Sequence, residues 1–155
     1  MSEVNNFIKQ AKEIVEQAKQ IKDLHTPEKN APVNYACFFA QSEEEYQDLL
    51  EAAKGLGKIG EETKMGPVFV VEPIETSAGK LRVVKVRKPD PTRPERGDAD
   101  FTVSNYPEFK KEFLGKSGFT LFDKPGKEMI ELMDPAFNVR VYFSKEPLDK
   151  KFGLV

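Results

Sequence analysis

Few side chains in this sequence could do chemistry, and the most suggestive is a glutamate set among methionines. In "KEMIELMD", Glu131 alternates with Met129 and Met133, while Ile130 and Leu132 take the opposite side of what reads as a strand. Neither side of such a strand is plainly wet, so the carboxylate is expected to point into a partly apolar space. Desolvation there raises a carboxyl pKa unless a cation or donors compensate, which makes Glu131 a candidate general base or ligand clamp. A solvent-facing glutamate beside space-filling methionines is an equal alternative. On the final strand, "FNVRVYFSKEP", one side carries Asn138, Arg140, Tyr142 and Ser144 and the other Phe137, Val139, Val141 and Phe143. If the polar side lines a cavity, Arg140 and Tyr142 bring a charge and a hydroxyl opposite Glu131, a set suited to a small polar or anionic ligand. If it faces water, they are ordinary surface residues. The matching strand of the first half mixes Lys85 and Arg87 with Val84 and Val86 too thoroughly to arbitrate.

A second group lies in "RKPDPTRPERGDADFTV", Arg87 to Val103. Pro89, Pro91 and Pro94 remove backbone donors and fix φ, so this segment is expected to be extended and stiff. Arg87, Lys88, Arg93 and Arg96 place cations along it, and Arg96 precedes Gly97, which permits a close backbone approach. Arginine forks grip carboxylate and phosphate, so Arg96 joins the ligand-binding candidates. Asp90, Glu95, Asp98 and Asp100 nearly neutralise the cluster, and an internally paired linker is the favoured reading. Asp98, Asp100 and Glu131 together offer three oxygen ligands to a hard ion such as Mg²⁺, Mn²⁺ or Ca²⁺. The favoured alternative makes the two aspartates loop and strand-edge residues paired with Arg96 or Arg93. No cofactor is therefore expected, with a divalent metal as the lesser alternative.

Other motifs are sparse. The chain has one histidine, His25, and one cysteine, Cys37, so neither an intramolecular disulfide nor a nucleophile–histidine pair within the strands is available. Cys37 alternates with Tyr35 and Phe39 in an apolar run and reads as buried filler. A net charge of -2 gives no global reason to bind nucleic acid or an anionic membrane, and the arginines are not interleaved with exposed aromatics. The opening "MSEVNNFIKQ" has neither a signal core nor a spanning segment, and a cytoplasmic location is expected.

These residues need elements to position them. At 155 residues, one domain is the default. Glu3 to Lys22 carries Val4, Phe7, Ile8, Ala11, Ile14, Val15, Ala18 and Ile21 at helical spacing. The polar stretch "HTPEKNAP" separates this amphipathic helix, residues 1–30 with its connection, from the rest. It is expected to be a docked accessory helix or an arm for a homodimer. Residues 31–155 then read as two modules of the same order, about 31–90 and 97–148. In the first, "VNYACFFA" is a strand, Ser42 with Glu45 opens a helix, and "KIGEETKM", "GPVFVVEP" and "KLRVVKVRKP" are strands. In the second, "ADFTV" is a strand, Asn105 with Glu108 opens a helix, and "FTLFDKPG", "KEMIELMD" and "FNVRVYFSKEP" follow. Each half is βαβββ, and a fixed order of five elements appearing twice indicates duplication.

Paired βαβββ modules resemble the vicinal-oxygen-chelate superfamily, the glyoxalase, bleomycin-resistance and extradiol-dioxygenase fold. The texture is most similar to its YecM-like branch, which shares a leading helical segment and a proline-rich passage between modules. The resemblance covers Val33 to Leu148 and implies an α+β domain with a curved mixed sheet around a cavity, the junction lying beside its mouth. It also implies metal ligands, a histidine on the first strand of each module and a late glutamate. Here those first strands offer Asn34 and Tyr35, and Asp98, Ala99 and Asp100, and only Glu131 looks like the family's glutamate. The expected function is a small-molecule-binding protein without a histidine metal site, with Tyr35, Arg96, Arg140 and Tyr142 as ligand contacts. The alternative is a carboxylate-ligated Mg²⁺- or Mn²⁺-dependent lyase, isomerase or hydrolase.

Overall fold

The three longer helices in the computed structural model, which describes residues 2–154, begin where the sequence supplies caps. Ser2 Oγ accepts from the Asn5 amide and opens α1 (Glu3–His25). The helix runs past the expected end at Lys22 because Thr26 closes it, its amide and hydroxyl both donating to the Lys22 carbonyl before Pro27. Phe7, Ile14, Val15 and Ile21 are buried, and Phe7 stacks on Phe38 with ring centroids 4.2 Å apart. The apolar stripe is thus covered by the protein's own sheet, as a docked helix requires.

The first half contains β1 (Val33–Phe39), α2 (Glu43–Lys54), β2 (Gly57–Thr63), β3 (Gly66–Thr76) and β4 (Gly79–Arg87). The second contains β5 (Gly97–Phe101), α3 (Tyr106–Phe113), β6 (Phe119–Lys124), β7 (Lys127–Leu132) and β8 (Val139–Ser144), followed by the short α4 (Leu148–Lys151). Ser42 and Asn105 cap α2 and α3 through their side-chain oxygens, as their types predict. All eight strands form one curved, unclosed sheet in the order β2-β3-β4-β1-β5-β8-β7-β6. Within each half the first strand runs parallel to the last, β1 with β4 and β5 with β8, and the halves meet where β1 pairs antiparallel with β5. The α+β class and the paired βαβββ plan are borne out.

The centre of the sheet sets the site. Strand alternation sends Ala36 and Phe38 toward α1 and Tyr35 and Cys37 toward the concave side. Only glycine fits at Gly97, where a Cβ would lie 2.1 Å from the Cys37 carbonyl oxygen. α1 packs on β1 and β3 from one half and on β5 and β8 from the other, so it seals the seam between them. Among the described residues, no helix is long and apolar enough to cross a membrane.

Candidate functional site

The concave face is a lattice that strand register makes explicit. One row runs Lys85 on β4, Cys37 on β1, Asp98 on β5 and Arg140 on β8. The next runs Tyr35, Asp100, Tyr142 and Glu131 across β1, β5, β8 and β7. Over these rows lies a cavity of about 300 Å³. Its floor holds Tyr35, Cys37, Asp98, Asp100 and Tyr142, and Met65, Phe122 and Met129 add apolar wall. Six cations border it: Lys85 and Arg87 from β4, Arg93 from the junction, Lys64 from the β2–β3 turn, and Lys124 and Lys127 from the β6–β7 hairpin.

The two floor aspartates are buried but differently served. Asp100 accepts from the Ser144 amide at 3.0 Å, from the Ser144 hydroxyl and from Asn34 Nδ2 at 3.1 Å. Burial raises its pKa, and these donors oppose the rise. Asp98 has no such support, and its Oδ1 is buried without a partner among the described residues. Desolvation, reinforced by the Asp100 charge, pushes its pKa up to about 7, against the pull of Arg93, Lys85 and Lys127. Burial also pushes the Cys37 thiol up to about 12, which suits inert filler and not a nucleophile. Lys85 has its pKa lowered, chiefly by desolvation.

Beside the cavity, the expected trio is assembled. Glu131 Oε2 accepts from the Tyr142 hydroxyl at 2.6 Å and from Arg140 Nη1 at 3.3 Å. Tyr142 in turn accepts from Arg93 Nη1 at 3.2 Å, and Arg93 lies over the Phe39 ring at 5.2 Å. Arg140 also reaches Glu95 Oε1 at 2.9 Å and the Thr92 carbonyl at 3.0 Å, so it ties the junction to the sheet. Glu131 is therefore a buried anchor held by two donors. Tyr35 and Tyr142 both line the cavity.

Several expectations need correction. Arg96 does not line the cavity, its Nη2 donating to Gln10 on α1 at 3.2 Å, and Arg93 lines it instead. The strap is not extended throughout as expected but turns at Pro91 and Thr92, where the Arg93 amide donates to the Asp90 carbonyl at 2.9 Å, and the sequence does not say which arginine that turn faces inward. Asp98 and Asp100 are not edge residues, because β5 is paired on both sides, with β1 and β8. As a metal set, Asp98, Asp100 and Glu131 are not gathered on one point: Ser144 and Asn34 engage Asp100, and Arg140 and Tyr142 engage Glu131. Among the described residues, no group of three or more His, Cys, Asp or Glu side chains is disposed to hold a metal. Lys64, Lys124 and Lys127 carry no signal of their place in the sequence. Lys85 and Arg87 alternate with the fully buried Val84 and Val86, which decides the facing of β4 once the core side is known.

Neither protein-family models nor curated proteins give a match to the chain. Among solved structures, the structural-genomics protein EC4020 is similar at TM-score 0.72 and 10% identity, covering 97% of this chain and 91% of that one. Hypothetical protein BH1468 from Bacillus halodurans C-125 aligns at TM-score 0.46 and 13% identity, over 74% and 93% of the respective chains. The first likeness extends over nearly the whole chain and concerns the fold alone.

Proposed function

We propose that this chain is a small-molecule-binding protein of the vicinal-oxygen-chelate type, YecM-like in plan, that holds a polar, anionic ligand on its concave face without a histidine metal site. The supporting observation is the border of six cations around one cavity whose floor carries two carboxylates. Cations held over partly apolar walls act at reduced dielectric, where an anion gains most from them. The test is a thermal-shift titration with inorganic phosphate and citrate on wild type and on Lys85→Met. The expected result is stabilisation that grows with anion concentration and weakens in the variant, since a ligand at a hundred times its Kd adds about 2.7 kcal/mol. No stabilisation of the wild type, or stabilisation unchanged by Lys85→Met, would sink the reading.

The enzymatic alternative, a carboxylate-ligated Mg²⁺ or Mn²⁺ site, draws its support from Asp98 and Asp100 sharing the floor. Elemental analysis with a metal titration on wild type and Asp98→Ala separates it: near-stoichiometric metal, lost in the variant, would replace the anion reading. A cytoplasmic setting belongs to the same proposal, as does a homodimer through α1, to which the helix can contribute its polar side.

A further inference from the structure

Two side chains of opposite character that line this one cavity each carry a buried polar atom without a partner, among the described residues: the Asp98 carboxylate at Oδ1 and the Arg87 guanidinium at Nε. They belong to strands on either side of β1, where Cys37 is in register with both Asp98 and Lys85, and Phe39 with Arg87. Protein interiors rarely leave such groups unmet, and an under-satisfied carboxylate and guanidinium in the lining of one pocket describe what is missing from it. The missing molecule offers an acceptor at β4 and a donor at β5.

We propose that the cavity takes a hydroxylated small anion, with its charged group against Arg87 and Lys85 and a neighbouring hydroxyl donating to Asp98. This rests on the anion-binding reading above and names its ligand class. The donor is a neutral hydroxyl and not an ammonium, because a further cation would sit inside a border that already carries six. A volume of about 300 Å³ lies at the small end of ligand sites and suits a short hydroxy acid or sugar phosphate better than a nucleotide. The Asp98 carboxyl, pushed up to about 7, is poised so that a hydroxyl donating to it favours the ionised form. The charged and titratable groups around it are Asp100 on its own strand, Cys37 and Tyr35 on β1 and Lys85 on β4. Arg93 faces it from the junction, Lys127 from the β6–β7 hairpin, and Tyr142 and Arg140 from β8.

Matched ligand pairs test this: glycerol 3-phosphate against propyl phosphate, and D-gluconate against hexanoate, titrated calorimetrically into wild type, Asp98→Leu and Lys85→Met at about pH 8. The expected result is at least about a tenfold preference for the hydroxylated member of one pair in wild type. That preference disappears in Asp98→Leu, whereas Lys85→Met weakens both members and preserves their ratio. Whichever pair shows it tells a phosphate ester from a carboxylic acid. Should Asp98→Leu fail to fold, the wild type at about pH 5.5 serves instead, where protonation of Asp98 is expected to shrink the ratio toward unity. Equal binding of both members, or a preference that survives the loss of Asp98 or its charge, overturns the hydroxyl inference and leaves the anion site standing. Failure of all four to bind wild type overturns both.

Discussion

At the scale of single residues, Asp98 is the most consequential side chain in the protein. Its carboxyl titrates near 3.8 when unfolded and at about 7 when folded, so the folded state holds the proton more tightly. The stability this confers is complete below about pH 4 and is lost as pH rises through 7. Asp98→Asn removes the buried charge, and the variant is expected to be more stable than wild type at about pH 8.5 by on the order of 2–4 kcal/mol. Near pH 4 the difference should shrink to almost nothing. Urea midpoints at the two pH values check this, and a pH-independent difference would contradict the assignment. Arg140 and Tyr142 were legible in the sequence because their strand has clean period-two alternation, whereas Glu131, among apolar residues on both sides of its strand, was legible only as one of two equal alternatives. The pairing of Asp98 with no one was not legible, since it depends on register between strands far apart in the chain.

At the scale of elements, the junction is a strap tied mostly to its surroundings and not internally paired as expected: Arg87 meets Asp90 at 3.1 Å within it, but Glu95 pairs with Arg140 on β8, Arg93 with Tyr142 and Arg96 with Gln10 on α1. Gln41 adds a clasp, its Nε2 donating to the Arg93 and Glu95 carbonyls. Arg140→Ala removes the tie to Glu95 and Thr92 and leaves Glu131 with one donor. The strap should then exchange amide hydrogens faster across residues 88–96, while α1 keeps its protection; unchanged exchange would show that Gln41 and the prolines suffice. The near balance of charge was readable from the sequence, but neither the partners of those charges nor the identity of the inward arginine was. α1 was readable as amphipathic, and its choice between docking and dimerising was not, because a stripe records that a partner exists and not which one. Phe7→Ala removes the ring stacked on Phe38 and is expected to cost about 3–5 kcal/mol, measurable by urea denaturation. A loss under about 1 kcal/mol would mean that α1 contributes little to the core.

For the whole molecule, the two halves share one sheet and one sealing helix, so neither owns a complete core. β1, the inner strand of the first half, needs β5 on its open side. A chain of residues 1–93 is therefore expected to lack cooperative unfolding and dispersed amide resonances, whereas a folded fragment would make the halves independent modules. The duplication itself was visible in the order of elements alone. What that order could not reveal is that the hairpin tips of both halves, at Lys64 and at Lys124 to Lys127, come to the same opening.

That ring of cations has a kinetic side. The chain carries a net charge of -2, so an approaching anion meets repulsion at long range and attraction only near the mouth. With a screening length of about 8 Å at physiological salt, the outer repulsion is largely erased while the pull at the opening survives. Moderate salt should therefore hasten the arrival of small anions before higher salt slows it, giving an association rate that peaks at an intermediate ionic strength.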